Sequence, residues 1–238
     1  MSVIVVTGTG TGVGKTVVTA ALAALAADRG STVAVVKPAQ TGVQAGELGD
    51  VDLVRDLSGV DDVHELARYT DPLAPVSAAR RAGLPTLDLA TVAGTVRELQ
   101  ADRRLVLVEG AGGLLVRYDD DGSTLADLAR DLRAPVLVVT TAGLGSLNAT
   151  ALTLEAIAHR GLDLAGIVIG AWPAEPDLAA RSNITDLELL AARPLAGAVP
   201  EGAGLLDTAR FRDVARASLE PALGGAFNAA RFRSRHTA

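Results

Sequence analysis

Short apolar runs recur along the chain, each followed by a turn and then by residues with helical spacing. Runs at 3–7, 32–37, 104–109, 135–140, 164–170 and 195–199 read as strands. Stretches at 16–28, 86–100, 125–132, 147–159, 185–192 and 211–219 read as helices, the first closed by Gly30. Such alternation predicts an α/β fold, a mostly parallel sheet flanked by helices on both faces. Ligands of such sheets bind at the carboxyl ends of the strands, so the residues there carry the functional information. Residues 71–85, with Pro72, Pro75 and Pro85, read as an irregular excursion whose functional alternative is a substrate lid.

Composition narrows the picture. Hydrophobic residues make up 49% of the 238 and aromatic residues only 3%, so the core is Val, Leu, Ile and Ala, as buried parallel strands require. The length suits one domain, expected over 1–225, with a basic tail at 226–238 expected to be mobile. A formal net charge of -6 argues against a nucleic-acid partner. The absence of cysteine excludes disulfides, thiol catalysis and Cys-ligated zinc. No run approaches the length of a membrane helix and the first residues lack a signal peptide's basic start, so a cytoplasmic protein without membrane association is expected. His64, His159 and His236 are scattered and receive no ligand role.

The first strand leads into Gly8-Thr9-Gly10-Thr11-Gly12-Val13-Gly14-Lys15-Thr16 and then a helix, the context of a phosphate-binding P-loop. Glycines let successive N–H groups turn inward around phosphate oxygens, and the helix start adds partial positive charge. Lys15 is placed to reach the β- and γ-phosphates, and Thr16 to ligate Mg²⁺. The loop is one residue longer than the usual pattern, with Thr9 at the standard first-glycine position.

Of 22 Lys plus Arg, only Lys15 and Lys37 are lysines. Lysine is kept where a compact ammonium differs from a planar guanidinium, which marks Lys37 as a chemical residue too. It opens Lys37-Pro38-Ala39-Gln40-Thr41-Gly42 at a strand's carboxyl end, as a second cation beside the phosphates, with Thr41 as a hydrogen-bond donor. Glu109-Gly110-Ala111-Gly112-Gly113 likewise follows a strand; Glu109 suits a direct or indirect Mg²⁺ role, and the glycines admit a ligand close to the backbone. Asp50 or Asp52, at a helix start, completes the Mg²⁺ shell, with Asp50 favoured.

Val6-Thr7-Gly8-Thr9-x-Thr11-x-Val13-Gly14-Lys15-Thr16, then Lys37-Pro38-x-Gln40-Thr41-Gly42, then Glu109-Gly110-Ala111-Gly112-Gly113 resemble the dethiobiotin synthetase family over nearly the whole chain. The longer P-loop is normal in that family. The resemblance implies a single-domain, P-loop NTPase-like fold and ATP- and Mg²⁺-dependent ring closure of 7,8-diaminopelargonic acid with CO₂. It implies catalytic Lys37, Lys15 and Thr11, and Thr41 beside the carbamate. Gly12, Val13, Gly14, Lys15, Thr16 and Val17 are implied to wrap the phosphates, and Thr16, Asp50 and Glu109 to hold Mg²⁺. Gly110, Ala111 and Gly112 are implied to touch nucleotide or substrate. Gly170, Ala171, Pro200, Glu201 and Gly202 are implied to flank the base, although Ala171 stands where many relatives carry Asn. A homodimer is implied, with Leu144, Gly145, Leu147 and Asn148 reaching the substrate tail in the neighbouring subunit.

Chromosome-partitioning and septum-site ATPases are the alternative reading, as dimerising switches on the same fold. Their signature lysine early in the P-loop is replaced here by Gly10. Another amide- or carbamate-forming ligase of this fold is a third.

Overall fold

The computed structural model describes residues 2–237. In chain order its elements begin β1 (Ser2–Gly8), α1 (Lys15–Asp28), β2 (Val33–Lys37), β3 (Gln40–Thr41), α2 (Asp50–Ser58), β4 (Val63–Glu65) and β5 (Arg68–Tyr69). They continue with α3 (Pro75–Ala82), α4 (Leu89–Asp102), β6 (Leu105–Gly113), α5 (Leu125–Leu132) and β7 (Val136–Thr140). The last are α6 (Ser146–His159), β8 (Leu164–Trp172), α7 (Leu178–Ala191), β9 (Gly197–Pro200), α8 (Thr208–Ser218) and α9 (Ala229–His236).

Seven strands form one parallel sheet in the order β4-β2-β6-β1-β7-β8-β9. Alternate side chains feed two cores. Val3, Val5, Val106, Val108, Val136 and Val138 face α4, α5, α6 and α7. Val6, Val33, Val35, Leu107, Leu137 and Val139 face α1, α2 and α8. α1 is nearly all Val, Ala and Leu after its first turn, and its alanines are wholly buried from Ala20 to Ala23. With β1 flanked by β6 and β7, the P-loop rises from the middle of the sheet, where the strand order changes direction.

The elements differ in several places from those expected. Residues 71–85 are not irregular throughout: α3 fills 75–82, with Pro75 in its first turn, where its missing N–H costs nothing, and left-handed Gly83 ending it. α7 starts already at Leu178, where Asp177 Oδ1 accepts the Ala180 N–H at 2.7 Å. The tail holds α9, seated by Phe232 against Trp172 (ring centroids 4.9 Å apart) and by an Arg233–Glu188 ion pair. A small pair, β3 beside β5, was not foreseen; at two residues each the strands are too short for a periodic signal. Among the described residues no helix is long and apolar enough to cross a membrane.

Candidate functional site

β1, β2 and β6 end side by side and deliver the three motifs to one rim of the sheet. A cavity of about 730 Å³ opens there. Its walls include Thr11, Gly12, Gly14, Lys15, Thr16 and Val17 from the P-loop and helix start, and Lys37, Thr41 and Asp50 from the second motif and α2. Ala111 and Gly112 line it from β6, and residues 72–75, leading into α3, line it as well.

Lys37 is buried and its ammonium is held on three sides. Nζ lies 2.5 Å from Asp50 Oδ2, donates to Glu109 Oε1 at 2.8 Å and donates to the Gly110 carbonyl at 3.3 Å. Burial by itself lowers a lysine's pKa, but the Glu109 and Asp50 carboxylates outweigh it and the net effect is upward. Thr16 Oγ1 donates to the same Glu109 Oε1 at 2.9 Å. Lys15 Nζ folds back onto the Gly10 carbonyl at 2.9 Å. Burial, reinforced by the nearby Lys37 charge, holds Lys15 below the ordinary lysine value, while Glu109 and Asp50 pull the other way.

The two aspartates of α2 do different things. Asp52 caps the helix, accepting the Gly49 N–H at 2.8 Å and the Arg55 guanidinium at 2.8 Å. Asp50 faces the cavity, its N–H donating to Gln40 Oε1 at 2.9 Å. Thr16, Asp50 and Glu109 offer only oxygen donors, the chemistry a hard cation takes. Among the described residues no cluster of three His, Cys, Asp or Glu stands ready to enclose a metal. Two carboxylates and a hydroxyl therefore fit Mg²⁺ as it usually binds, completed by water and substrate phosphate.

Other expected positions lie elsewhere. Val13 packs its side chain into the core, so only its backbone faces a ligand. Gly170 is pressed under the P-loop: a Cβ there would stand 2.0 Å from the Val13 carbonyl oxygen. Ala171, Pro200 and Glu201 are exposed, and Glu201 N–H donates to the Trp172 carbonyl at 2.8 Å. Gly202, at φ 80, precedes a turn in which Gly204 nears Val17. Leu144, Gly145, Leu147 and Asn148 are not brought to the main cavity of the chain. Leu144 is 90% exposed, and Leu147 and Asn148 border a second groove of about 510 Å³ between α6 and α7.

Four supporting side chains escaped the sequence reading. Gln40 holds Asp50, and its place inside the second motif was a usable signal. Arg68 pairs with Glu65 through Nε and Nη2 and ties down the loop before Asp50 by donating to the Glu47 carbonyl at 2.7 Å. Buried Tyr118 accepts the Ala111 N–H at 2.8 Å. Asn183 Nδ2 lies 2.8, 3.0 and 3.1 Å from Ala142 O, Gly143 O and Ser146 Oγ, fixing the turn that carries Leu144. Arg68 and Asn183 come from distant segments without a motif, and Tyr118 follows the Glu109 motif in a stretch with no motif of its own.

Residues 2–208 match the AAA domain family AAA_26. The chain is 85% identical over 236 residues to the ATP-dependent dethiobiotin synthetase BioD of Parafrankia sp. (strain EAN1pec), covering 99% of each. It is 72% identical over 236 residues to the protein of that name from Frankia casuarinae, again covering 99% of each. Among solved structures, the septum site-determining protein MinD from Pyrococcus horikoshii OT3, complexed with Mg-ADP, aligns with a TM-score of 0.55 at 17% identity over 89% of this chain and 88% of that one. At that identity the MinD likeness speaks for the P-loop fold alone. Full-length identity of this order decides between the metabolic and the switch readings: the chain belongs to the ATP-dependent dethiobiotin synthetase family.

Proposed function

We propose that the chain closes the ureido ring of dethiobiotin from 7,8-diaminopelargonic acid, CO₂ and ATP. The N7 amine adds to CO₂ and loses a proton, giving a carbamate. A carbamate oxygen takes the γ-phosphoryl group of ATP, releasing ADP. The N8 amine then attacks the carbamoyl carbon, phosphate leaves, and the ring is closed. The observation that carries this reading is the convergence of Lys15, Thr16, Lys37 and Asp50 on one cavity, with Glu109 buried behind it and bonded to Thr16 and Lys37.

Phosphoryl transfer depends on positioning and charge stabilisation more than on covalent help from the protein. Residues 12–17 cradle the phosphates with backbone N–H groups, and Lys15 leaves the Gly10 carbonyl for a phosphate oxygen. Lys37 offsets charge on the migrating group, with Thr11 and Thr41 donating to the carbamate side. Thr16, Asp50 and Glu109 hold Mg²⁺, which when bound neutralises phosphate oxygens. Gly110, Ala111 and Gly112 let the diamine lie close to the backbone, and residues 170–171 and 200–202 border the base. A cytoplasmic setting, where ATP and CO₂ are both at hand, goes with this chemistry.

The active enzyme is read as a homodimer. Leu147, Ala151 and the exposed Leu189 and Leu190 line the α6–α7 groove, an apolar surface suited to a second copy. Leu144, Gly145, Leu147 and Asn148 then reach the partner's substrate tail. Sedimentation should give a dimer; a fully active monomer would end this part of the reading. The central test is phosphate release from ATP with and without the diamine and bicarbonate. Release that requires both supports the assignment, and release indifferent to both overturns it.

A further inference from the structure

One peptide unit near the end of β6 has both of its polar groups engaged, on opposite sides. Its carbonyl, from Gly110, accepts from Lys37 Nζ at 3.3 Å. Its N–H, from Ala111, donates to Tyr118 Oη at 2.8 Å. A trans peptide points C=O and N–H in opposite directions, so a partner fixed on one side decides which group faces the other. A turn-over of this unit changes ψ of Gly110, which has no Cβ to restrict it, and φ of Ala111, whose Cβ resists it, so the partners on either side share in setting its orientation. The turned-over form presents an N–H to the Lys37 ammonium in place of a carbonyl, a repulsion where there was an acceptor.

Tyr118 is suited to hold the unit. It is fully buried, and its backbone is tied from two directions: its N–H donates to the Ser123 carbonyl at 2.9 Å, and its carbonyl accepts the Leu87 N–H at 3.3 Å. Burial pushes the phenol pKa upward, so the group standing there is neutral.

We infer that Tyr118 is a positioning residue for Lys37, acting through the Gly110–Ala111 peptide. This rests on the proposed role of Lys37 in the reaction. Removing the phenol oxygen frees the peptide and loosens the ammonium, while the P-loop is untouched.

The composition supplies a clean probe. With only two lysines, ¹⁵N-lysine labelling gives two side-chain ammonium signals, assigned by Lys15→Arg and Lys37→Arg. In Tyr118→Phe the Lys37 signal should shift or broaden and the Lys15 signal stay in place. Turnover should fall by about tenfold, the scale of one lost hydrogen bond, with KM for ATP changed less than about twofold. If Tyr118→Phe is too unstable to study, 3-fluorotyrosine in place of Tyr69 and Tyr118 weakens the same acceptor. The Lys37 signal should then move in the same sense by less. An unmoved Lys37 signal in a folded Tyr118→Phe protein overturns the inference, whatever the activity. A moved signal with unchanged turnover also overturns the inference, because the contact then does not position Lys37 for the reaction; failure of the Lys37 role itself is read separately, from normal turnover in Lys37→Ala.

Discussion

Lys37 Nζ stands 2.8 Å from Glu109 Oε1, and the two side chains are 4% and 2% exposed. A buried pair of this kind adds little net stability, because desolvation offsets the attraction, yet removing one partner strands the other charge. Lys37→Ala leaves Glu109 facing Asp50 with no cation between them. The variant should lose about 3 kcal/mol of unfolding free energy in urea titration. Added Mg²⁺ should restore part of it, since the two carboxylates are then again neutralised. Equal stability of variant and wild type in metal-free buffer would contradict the pairing.

The two lysines should separate in function. Lys15 lies inside the phosphate loop, whereas Lys37 reaches the cavity from β2. Lys15→Ala should weaken ATP binding by calorimetry and abolish phosphate release. Lys37→Ala should keep ATP affinity within a few-fold and abolish release, because its ammonium acts on the migrating group. Full ATP affinity in Lys15→Ala, or normal turnover in Lys37→Ala, would remove that lysine from its role.

Much of this site was legible before any coordinates because the chemistry clusters in sequence. The P-loop, the Lys37 motif and the Glu109 motif each follow an apolar run, and parallel topology sends all three to one edge. Strand periodicity located β1, β2, β6 and β7 within a residue or two of their starts. What was hidden depends on pairs far apart in the chain. Asn183 holds the turn at 142–146 from another helix, and Arg68 holds residue 47 across a loop. α3 escaped because prolines argue against a helix unless one of them falls in its first turn, as Pro75 does. α9 escaped because its short run of arginines reads as a solvated tail, while its Phe232 packs on Trp172.

Gly170 sets how closely β8 approaches the P-loop. A Cβ on it would lie 2.0 Å from the Val13 carbonyl oxygen and 2.6 Å from Val139 Cγ1, and neither backbone nor buried valine has room to yield. Gly170→Ala should push the loop off the sheet. The expected result is a loss of about 1–3 kcal/mol of stability with a marked loss of ATP affinity. Unchanged ATP affinity would show that the loop can shift without losing its phosphate cradle.

Asn183 is buried, and its amide meets three acceptors of the turn before α6. Asn183→Ala leaves those groups short of a donor, at a cost of about 1–3 kcal/mol. If that turn carries the substrate tail, KM for the diamine should rise while KM for ATP stays level. Equal changes in both would assign Asn183 to the fold alone.

Asp62 gives the pH dependence a definite sign. Oδ2 lies 2.5 Å from Arg103 Nε and Oδ1 lies 2.7 Å from His64 Nε2. Burial works upward on this carboxyl, but the hydrogen bonds from Arg103 and His64 outweigh it and hold its pKa below the ordinary value. A carboxyl with a depressed native pKa stabilises the fold above its unfolded pKa and loses that contribution as pH falls through the native one. Asp62→Asn should therefore melt below wild type at pH 7. For a partly exposed pair the gap corresponds to about 1 kcal/mol, or about 2–4 °C in a chain of this size. The gap should narrow as the pH falls from 7 through and below the ordinary aspartate range, because the wild-type carboxyl is then progressively protonated. A gap of constant size from pH 7 to pH 3 would mean that the substitution disturbs packing between β4 and the end of α4, and that the charge on Asp62 contributes nothing.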